Sequence, residues 1–236
     1  MGGSLQSAWD AALAFEYWPE IGEGTIDTLI MTGFSLAFTV LIGLPIGIAL
    51  FLTSWQQRSD RPLVARAQAW TYNVLSFLVN VLRSVPFLIL LILLIPATRW
   101  IVGTSLGVEG SIPPLVIAAA PFFARLVENL LREVDHGVFE ACRAMGATTR
   151  QTVFWALLPE TLPGMLAAIT VTAIALVGYS AMSGVIGGGG LGDLAVRYGY
   201  QRFNTPVMIV TVAILVVLVQ LIQVLGDRLV ARLAHR

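Results

Sequence analysis

The chain has 236 residues, of which 57% are hydrophobic and 12% are charged, whereas a soluble domain has roughly 45–50% apolar and about 25% charged residues. These values exclude a disordered chain, a disulfide scaffold and a nucleic-acid-binding protein, and they indicate an integral membrane protein. All 14 basic residues are arginine, so the chain lacks the lysine that a phosphate-loop ATPase needs. The single Cys142 excludes an internal disulfide.

Five segments are long and apolar enough to cross a membrane, since a span needs about 20 residues. Three uncharged stretches, 28–57, 161–192 and 203–226, meet this length, while a fourth segment contains Arg83 and a fifth contains Arg125 and Glu128. The predicted helices are 28–55, 71–97, 111–131, 162–186 and 205–227. The predicted fold class is therefore an all-α polytopic membrane protein with five transmembrane helices.

The arginines beside these spans predict the orientation, because arginine accumulates on the cytoplasmic side. Nine of them flank the side that is predicted to be cytoplasmic: Arg58, Arg61, Arg66, Arg132, Arg143, Arg150, Arg228, Arg232 and Arg236. The N-terminus is then outside and the C-terminus is inside. Residues 1–24 form a predicted extracytoplasmic extension before the membrane domain, 25–232. Two interpretations of the extension remain open: a loosely packed tail, or an interfacial helix that uses Leu5, Trp9, Leu13 and Trp18.

Helix breakers and an arginine interrupt the first two spans. Gly43, Pro45 and Gly47 lie in the first and Pro86 in the second, where they predict either close packing with a static kink or a bend used in gating. Arg83 lies near the middle of the second span, where an arginine costs about 2.5–3.5 kcal/mol. We expect Arg83 to face inward, either paired with a helix C-terminus or a carbonyl, or positioning an anionic ligand.

Two further features concern the third span and the loop after the fourth. Glu128 lies three residues after Arg125 and four before Arg132, a spacing that predicts a structural ion pair near the cytoplasmic boundary.

Residues 187–192 match G-x-G-x-x-G, but they follow a membrane helix and not the strand that a dinucleotide site requires. We interpret them as a flexible outer loop whose glycines let helices approach or a gate move.

The segment between the third and fourth spans predicts two short helices that project into the cytoplasm. Apolar residues recur at helical spacing at Val138, Ala141, Cys142 and Met145. Gly146 then supplies a helix stop, and Thr148 with Gln151 reads as a capping box. Such a projection suits docking on a soluble partner, with a solvated helical hairpin as the alternative.

The same segment resembles the EAA signature of ABC importer permeases. Glu140-Ala141-Cys142, Gly146 and Leu158-Pro159 keep the spacing of that signature, with Cys142 and Ala156 as departures. The resemblance implies that the coupling helix, about 136–150, docks on a separate ATPase subunit. The residues that carry this coupling role are Glu140, Ala141, Arg143, Gly146, Ala147, Leu158 and Pro159.

Over about residues 24–232 the chain resembles the methionine-uptake permeases of the MetI type more than the polar amino-acid permeases. The segments that carry this resemblance are Asp27-Thr28-Leu29, Gly43-Leu44-Pro45, 83–87, Ala120-Pro121-Phe122, 140–147, 177–182 and 189–192. The resemblance implies a homodimer that binds two ATPase chains and receives substrate from an external lipoprotein. It also implies that Met182 lines the gate, with Tyr179 and Ser180 on the path.

The resulting hypothesis is a permease subunit of an ATP-driven importer in the bacterial inner membrane, transporting methionine in the L form, the D form or both. The chain itself is expected to hold no metal, no cofactor and no catalytic residue, while ATP and magnesium bind the partner ATPase. The alternatives are a permease for another amino acid or a small peptide, and an ion-coupled secondary transporter. The lack of a second buried acid for a proton relay argues against the latter.

Overall fold

The computed structural model describes residues 16–55 and 62–234, and within them the chain is almost entirely helical. The helices are α1 (Trp18–Trp55), α2 (Pro62–Ser84), α3 (Phe87–Leu93), α4 (Ile95–Val102), α5 (Gly107–Glu133), α6 (His136–Ala144), α7 (Thr149–Gln151), α8 (Leu158–Glu160), α9 (Leu162–Ser183), α10 (Gly190–Leu194) and α11 (Thr205–Ala234). The π-helical segments Thr152–Leu157 and Ala195–Tyr200 continue α7 and α10, and a 3-10 turn, Gly184–Ile186, follows α9.

In the described residues, four helices, α1, α5, α9 and α11, are long and apolar enough to cross a membrane. The bent pair of α2 and α3 makes a fifth span when it is counted as one crossing. The predicted all-α, multi-span fold is therefore confirmed.

The second span differs from the single helix predicted over 71–97. α2 ends at Ser84, α3 begins at Phe87, and the two axes are bent by 102°. Pro86 causes the break, because it has no N–H for the Leu82 carbonyl and its ring disfavours helical geometry at Val85. The proline thus interrupts the helical backbone hydrogen bonds and changes the direction of the chain within the span.

The first helix begins earlier than predicted. α1 has 38 residues, which corresponds to about 57 Å at 1.5 Å per residue, much more than the roughly 30 Å of a hydrocarbon core. Its start is packed, since Ile21 is buried and the ring of Tyr17, the residue just before the helix, lies 5.2 Å from that of Tyr198. α1 passes without a break through residues 24 and 25, the predicted domain boundary. Leu5, Trp9 and Leu13 lie outside the described residues.

The most extensive contact between membrane helices joins α1 to α5. A Cβ at Gly43 would lie 2.9 Å from the Ala120 carbonyl oxygen, and one at Gly47 would lie 2.6 Å from that of Ala124. Small residues permit such close approach of two backbones in a membrane. Gly43 and Gly47 therefore serve close packing, one of the two interpretations offered for this motif.

We expect Gly47→Ala to destabilise the chain by about 1–3 kcal/mol, since the added methyl group must push two backbones apart. Gly33→Ala is the matched control, because Gly33 lies in the same helix and its Cβ would meet nothing within 4 Å. Thermal unfolding of the detergent-purified chain can be followed with a thiol-reactive dye, since Cys142 is buried. Equal midpoints for the two variants would contradict the close-packing assignment.

Candidate functional site

The hairpin between α5 and α9, which is predicted to be cytoplasmic, begins with a capped helix. The Gly137 N–H donates to the Asp135 side chain at 2.6 Å, which makes Asp135 the N-cap of α6. α6 ends at Ala144 and thus covers the first part of the predicted coupling helix, about 136–150. The N–H groups of Gly146 and Ala147 donate to the carbonyls of Arg143 and Cys142. This pair of bonds, with Gly146 at a φ of +74°, forms a Schellman motif and confirms the predicted glycine stop.

The second part of the hairpin also starts as predicted. The Thr148 N–H donates to the Gln151 side chain at 2.8 Å, and the Gln151 N–H donates to the Thr148 hydroxyl at 3.4 Å. These reciprocal bonds confirm the capping box. Two capped helices joined at one glycine therefore give the hairpin a defined shape.

The predicted apolar stripe of α6 only partly faces the core. Cys142 is buried and Val138 is half-buried, but Ala141 is exposed and Met145 is 77% exposed. The residue that anchors the helix is Phe139, which lies 5.9 Å from the Phe51 ring. The stripe thus predicts the helix, but the buried side of α6 runs through Phe139 and Cys142.

The exposed side of the hairpin carries the residues predicted to couple to an ATPase. The exposed residues are Glu140, Ala141, Arg143, Gly146 and Pro159, whereas Ala147 and Leu158 are half-buried. Because Phe139 joins α6 to the same apolar cluster as Phe51 and Phe123, a displacement of this exposed surface would be transmitted to α1 and α5. The coupling role of these residues stays a prediction.

The three residues predicted for the gate do not share one surface. Met182 is 48% exposed, while Tyr179 is half-buried and its ring stacks on that of Phe87 at 4.6 Å. Ser180 is buried and its hydroxyl donates to the Val177 carbonyl. Met182 is thus the most exposed of the three, and Val171 and Gly178 are exposed on the same face of α9.

The glycine-rich segment after α9 is packed within the described structure, in contrast to the predicted flexible outer loop. A Cβ at Gly192 would lie 2.2 Å from the Ala181 carbonyl oxygen, so α10 folds back directly onto the end of α9. The Leu191 N–H donates to the Thr28 hydroxyl at 2.9 Å, which ties the segment to α1. The close approach of helices, which was predicted for these glycines, is their structural use.

A polar network joins α2 to α5. The fully buried Glu128 accepts from Arg125 at 2.6 Å and from Arg132 at 2.5 Å. Arg125 also donates to Ser76 and Asn80 at 2.8 Å, and Arg132 donates to the Tyr72 hydroxyl at 3.0 Å. The predicted ion pair is confirmed, and it extends across two helices.

Arg83 stands apart from this network. It lies in the last turn of α2, is exposed, and places its guanidinium 5.8 Å from the centre of the Phe122 ring. Cations near the C-terminus of a helix are favoured by its dipole. Among the described residues, the guanidinium has no carboxylate partner.

Comparison with known proteins gives a family for this geometry. The protein family described as "Binding-protein-dependent transport system inner membrane component" matches residues 62–236. The chain belongs to this family. It is 52% identical over 161 residues to the D-methionine transport system permease protein MetI of Escherichia coli K12, covering 68% of this chain and 71% of that protein. It is 46% identical to the methionine import system permease protein MetP of Bacillus subtilis, covering 88% and 90%.

Solved structures of other transporter chains have the same fold. A chain of the MetNI methionine ABC transporter, in inward-facing conformations, matches with a TM-score of 0.86 and 47% identity, over 93% of this chain and 99% of that one. An amino acid ABC transporter solved with histidines matches at a TM-score of 0.72 and 24% identity, which shows a shared fold.

Proposed function

We propose that this chain is the membrane-spanning subunit of an ATP-driven importer that takes up methionine. The observation that carries the proposal is the 47% identity and TM-score of 0.86 to a chain of the MetNI methionine transporter, over almost the whole length. The exposed, doubly capped hairpin supports it, since a rigid projection suits docking on an ATPase subunit.

ATP and magnesium bind the partner in this proposal, because the chain contains no lysine for a phosphate-loop site. Two copies of the chain pair as a homodimer, each on one ATPase subunit. The face of α9 around Met182 is exposed in a single copy. This exposure supports the pairing, because a second copy would cover that face.

Transport then follows from the connection between hairpin and core. ATP binding draws the two ATPase subunits together, and each carries α6 with it. Because Phe139 packs on Phe51, the movement of α6 reaches α1 and α5 and switches the path from inward-facing to outward-facing. Methionine, as the L form, the D form or both, enters from an external binding protein, and Met182 gates the path. Hydrolysis resets the inward-facing state.

The proposed orientation places the hairpin and the C-terminus in the cytoplasm of a bacterial inner membrane. The arginines Arg132, Arg143 and Arg150 on the hairpin side support it, because basic residues favour that side. The N-terminus is then outside.

The test is uptake of radiolabelled methionine into vesicles that contain the chain with its ATPase subunit and receive the external binding protein. We expect accumulation that requires ATP, and co-purification of the two subunits. Uptake driven by an ion gradient with this chain alone would overturn the proposal in favour of a secondary transporter. ATP-driven uptake of another amino acid or a peptide in preference to methionine would overturn the substrate.

A further inference from the structure

We propose that Arg83 is an anion-binding residue of the translocation path and binds the carboxylate of the transported amino acid. The inference rests on the proposed function for the existence of a path and an amino-acid substrate. It concerns one side chain of α2 that takes no part in the polar network around Glu128.

The position of Arg83 follows from how α2 and α5 pack against each other. Tyr72 contacts Arg132, Asn80 contacts Arg125, and Arg83 contacts Phe122. The two helices are therefore antiparallel in this region, and positions that rise along α2 descend along α5. Phe122 lies close to the middle of α5, which is long enough to cross the membrane. Arg83 is thus near mid-depth and far from the lipid headgroups.

The three arginines at the contact between α2 and α5 differ in how their positive charge is balanced. Arg125 and Arg132 share Glu128, and both have further oxygen acceptors. In the described part of the chain, Arg83 has no ion pair or side-chain hydrogen bond, and its guanidinium lies over the ring of Phe122. An aromatic face attracts a guanidinium but leaves its N–H groups free to donate. Arg83 is therefore supported and oriented while its hydrogen-bonding capacity stays unused.

An exposed arginine at mid-depth cannot face lipid without a cost of about 2.5–3.5 kcal/mol. Its surroundings in the assembled transporter must be water or protein, and a path for a zwitterionic solute supplies the former. The planar guanidinium matches a carboxylate in a bidentate manner. Because headgroup phosphates lie at the membrane surfaces, a carboxylate passing along the path is the anion that can reach this depth.

The experiment uses the complete permease–ATPase complex in lipid nanodiscs without the external binding protein. Binding of radiolabelled L-methionine is measured, with methioninamide as a competitor that lacks the carboxylate. We expect Arg83→Gln to weaken methionine binding roughly tenfold or more and to remove the preference over methioninamide, because a charge-assisted bond is lost. Arg83→Lys should keep part of that preference. Arg99→Gln is the matched control, since Arg99 is exposed at the end of α4 and bonds to Ser105.

The outcomes separate this inference from the proposed function. Unchanged affinity and preference in Arg83→Gln would overturn the inference, as would a wild-type complex that transports methionine but binds none in this assay. Dissociation of the variant into single permease chains would also overturn it, by making Arg83 a subunit contact. Failure of ATP-driven methionine uptake by the wild type would instead overturn the proposed function.

Discussion

Replacing Gly146 with valine is expected to lower transport-linked ATP hydrolysis roughly tenfold or more. Gly146 has a φ of +74°, a conformation that costs a non-glycine residue about 1–3 kcal/mol and is least accessible to a β-branched side chain. The variant relieves that strain by opening the Schellman bonds to Arg143 and Cys142. The end of α6, which includes the predicted docking surface, then loses its fixed geometry. A coupled ATPase assay in vesicles measures the effect.

Two matched variants isolate the backbone effect from the effect of added volume. Gly146→Asn should retain most of the activity, because asparagine tolerates the left-handed region. Gly33→Val adds the same side chain in α1, at a position where a Cβ meets nothing within 4 Å, and should leave coupling unchanged. A Cβ at Gly146 also meets nothing within 4 Å, so steric clash does not explain a loss there. Coupling that survives Gly146→Val unchanged would show that the docking assignment is wrong.

The ends of the two helices in the hairpin can be predicted from the sequence, because each depends on a few neighbouring residues. Gly146 as a helix stop and Thr148 with Gln151 as a capping box are both confirmed. The buried side of α6 cannot be predicted in the same way, because it depends on a contact with a distant part of the chain. Helical periodicity identifies a stripe through Met145, but only the position of Phe51, far away in the chain, selects Phe139 as the anchor.

Long-range contacts also explain the other differences. The glycines of 187–192 have the composition of a flexible loop, yet they lie against Ala181 and Thr28 and are needed there for their small size. The uncharged stretch predicts a first span from residue 28, after Asp27, whereas α1 already begins at Trp18. Hydropathy locates the part of a helix that lipid covers and does not report where the helix itself ends.

Replacing Glu128 with glutamine is expected to destabilise the chain by about 3–5 kcal/mol, the cost of removing one partner from a buried ion pair. The substitution keeps the size of the side chain and leaves Arg125 and Arg132 facing each other without a carboxylate. The expected loss lies at the lower end of that range, because the Arg132 side chain is 45% exposed and can turn toward water. Thermal unfolding reported by the buried Cys142 measures the effect.

Glu133→Gln is the control for the loss of a negative charge from the same helix, because Glu133 is exposed; such a surface change should stay within about 0.5 kcal/mol. The double variant Glu128→Gln with Arg125→Gln should be less destabilised than the sum of the single variants, since it removes a charge that would otherwise be unpaired. Equal midpoints for the Glu128 and Glu133 variants would contradict the role of the network in holding α2 on α5. The predicted ion pair would then be a neighbouring contact with no part in that helix packing.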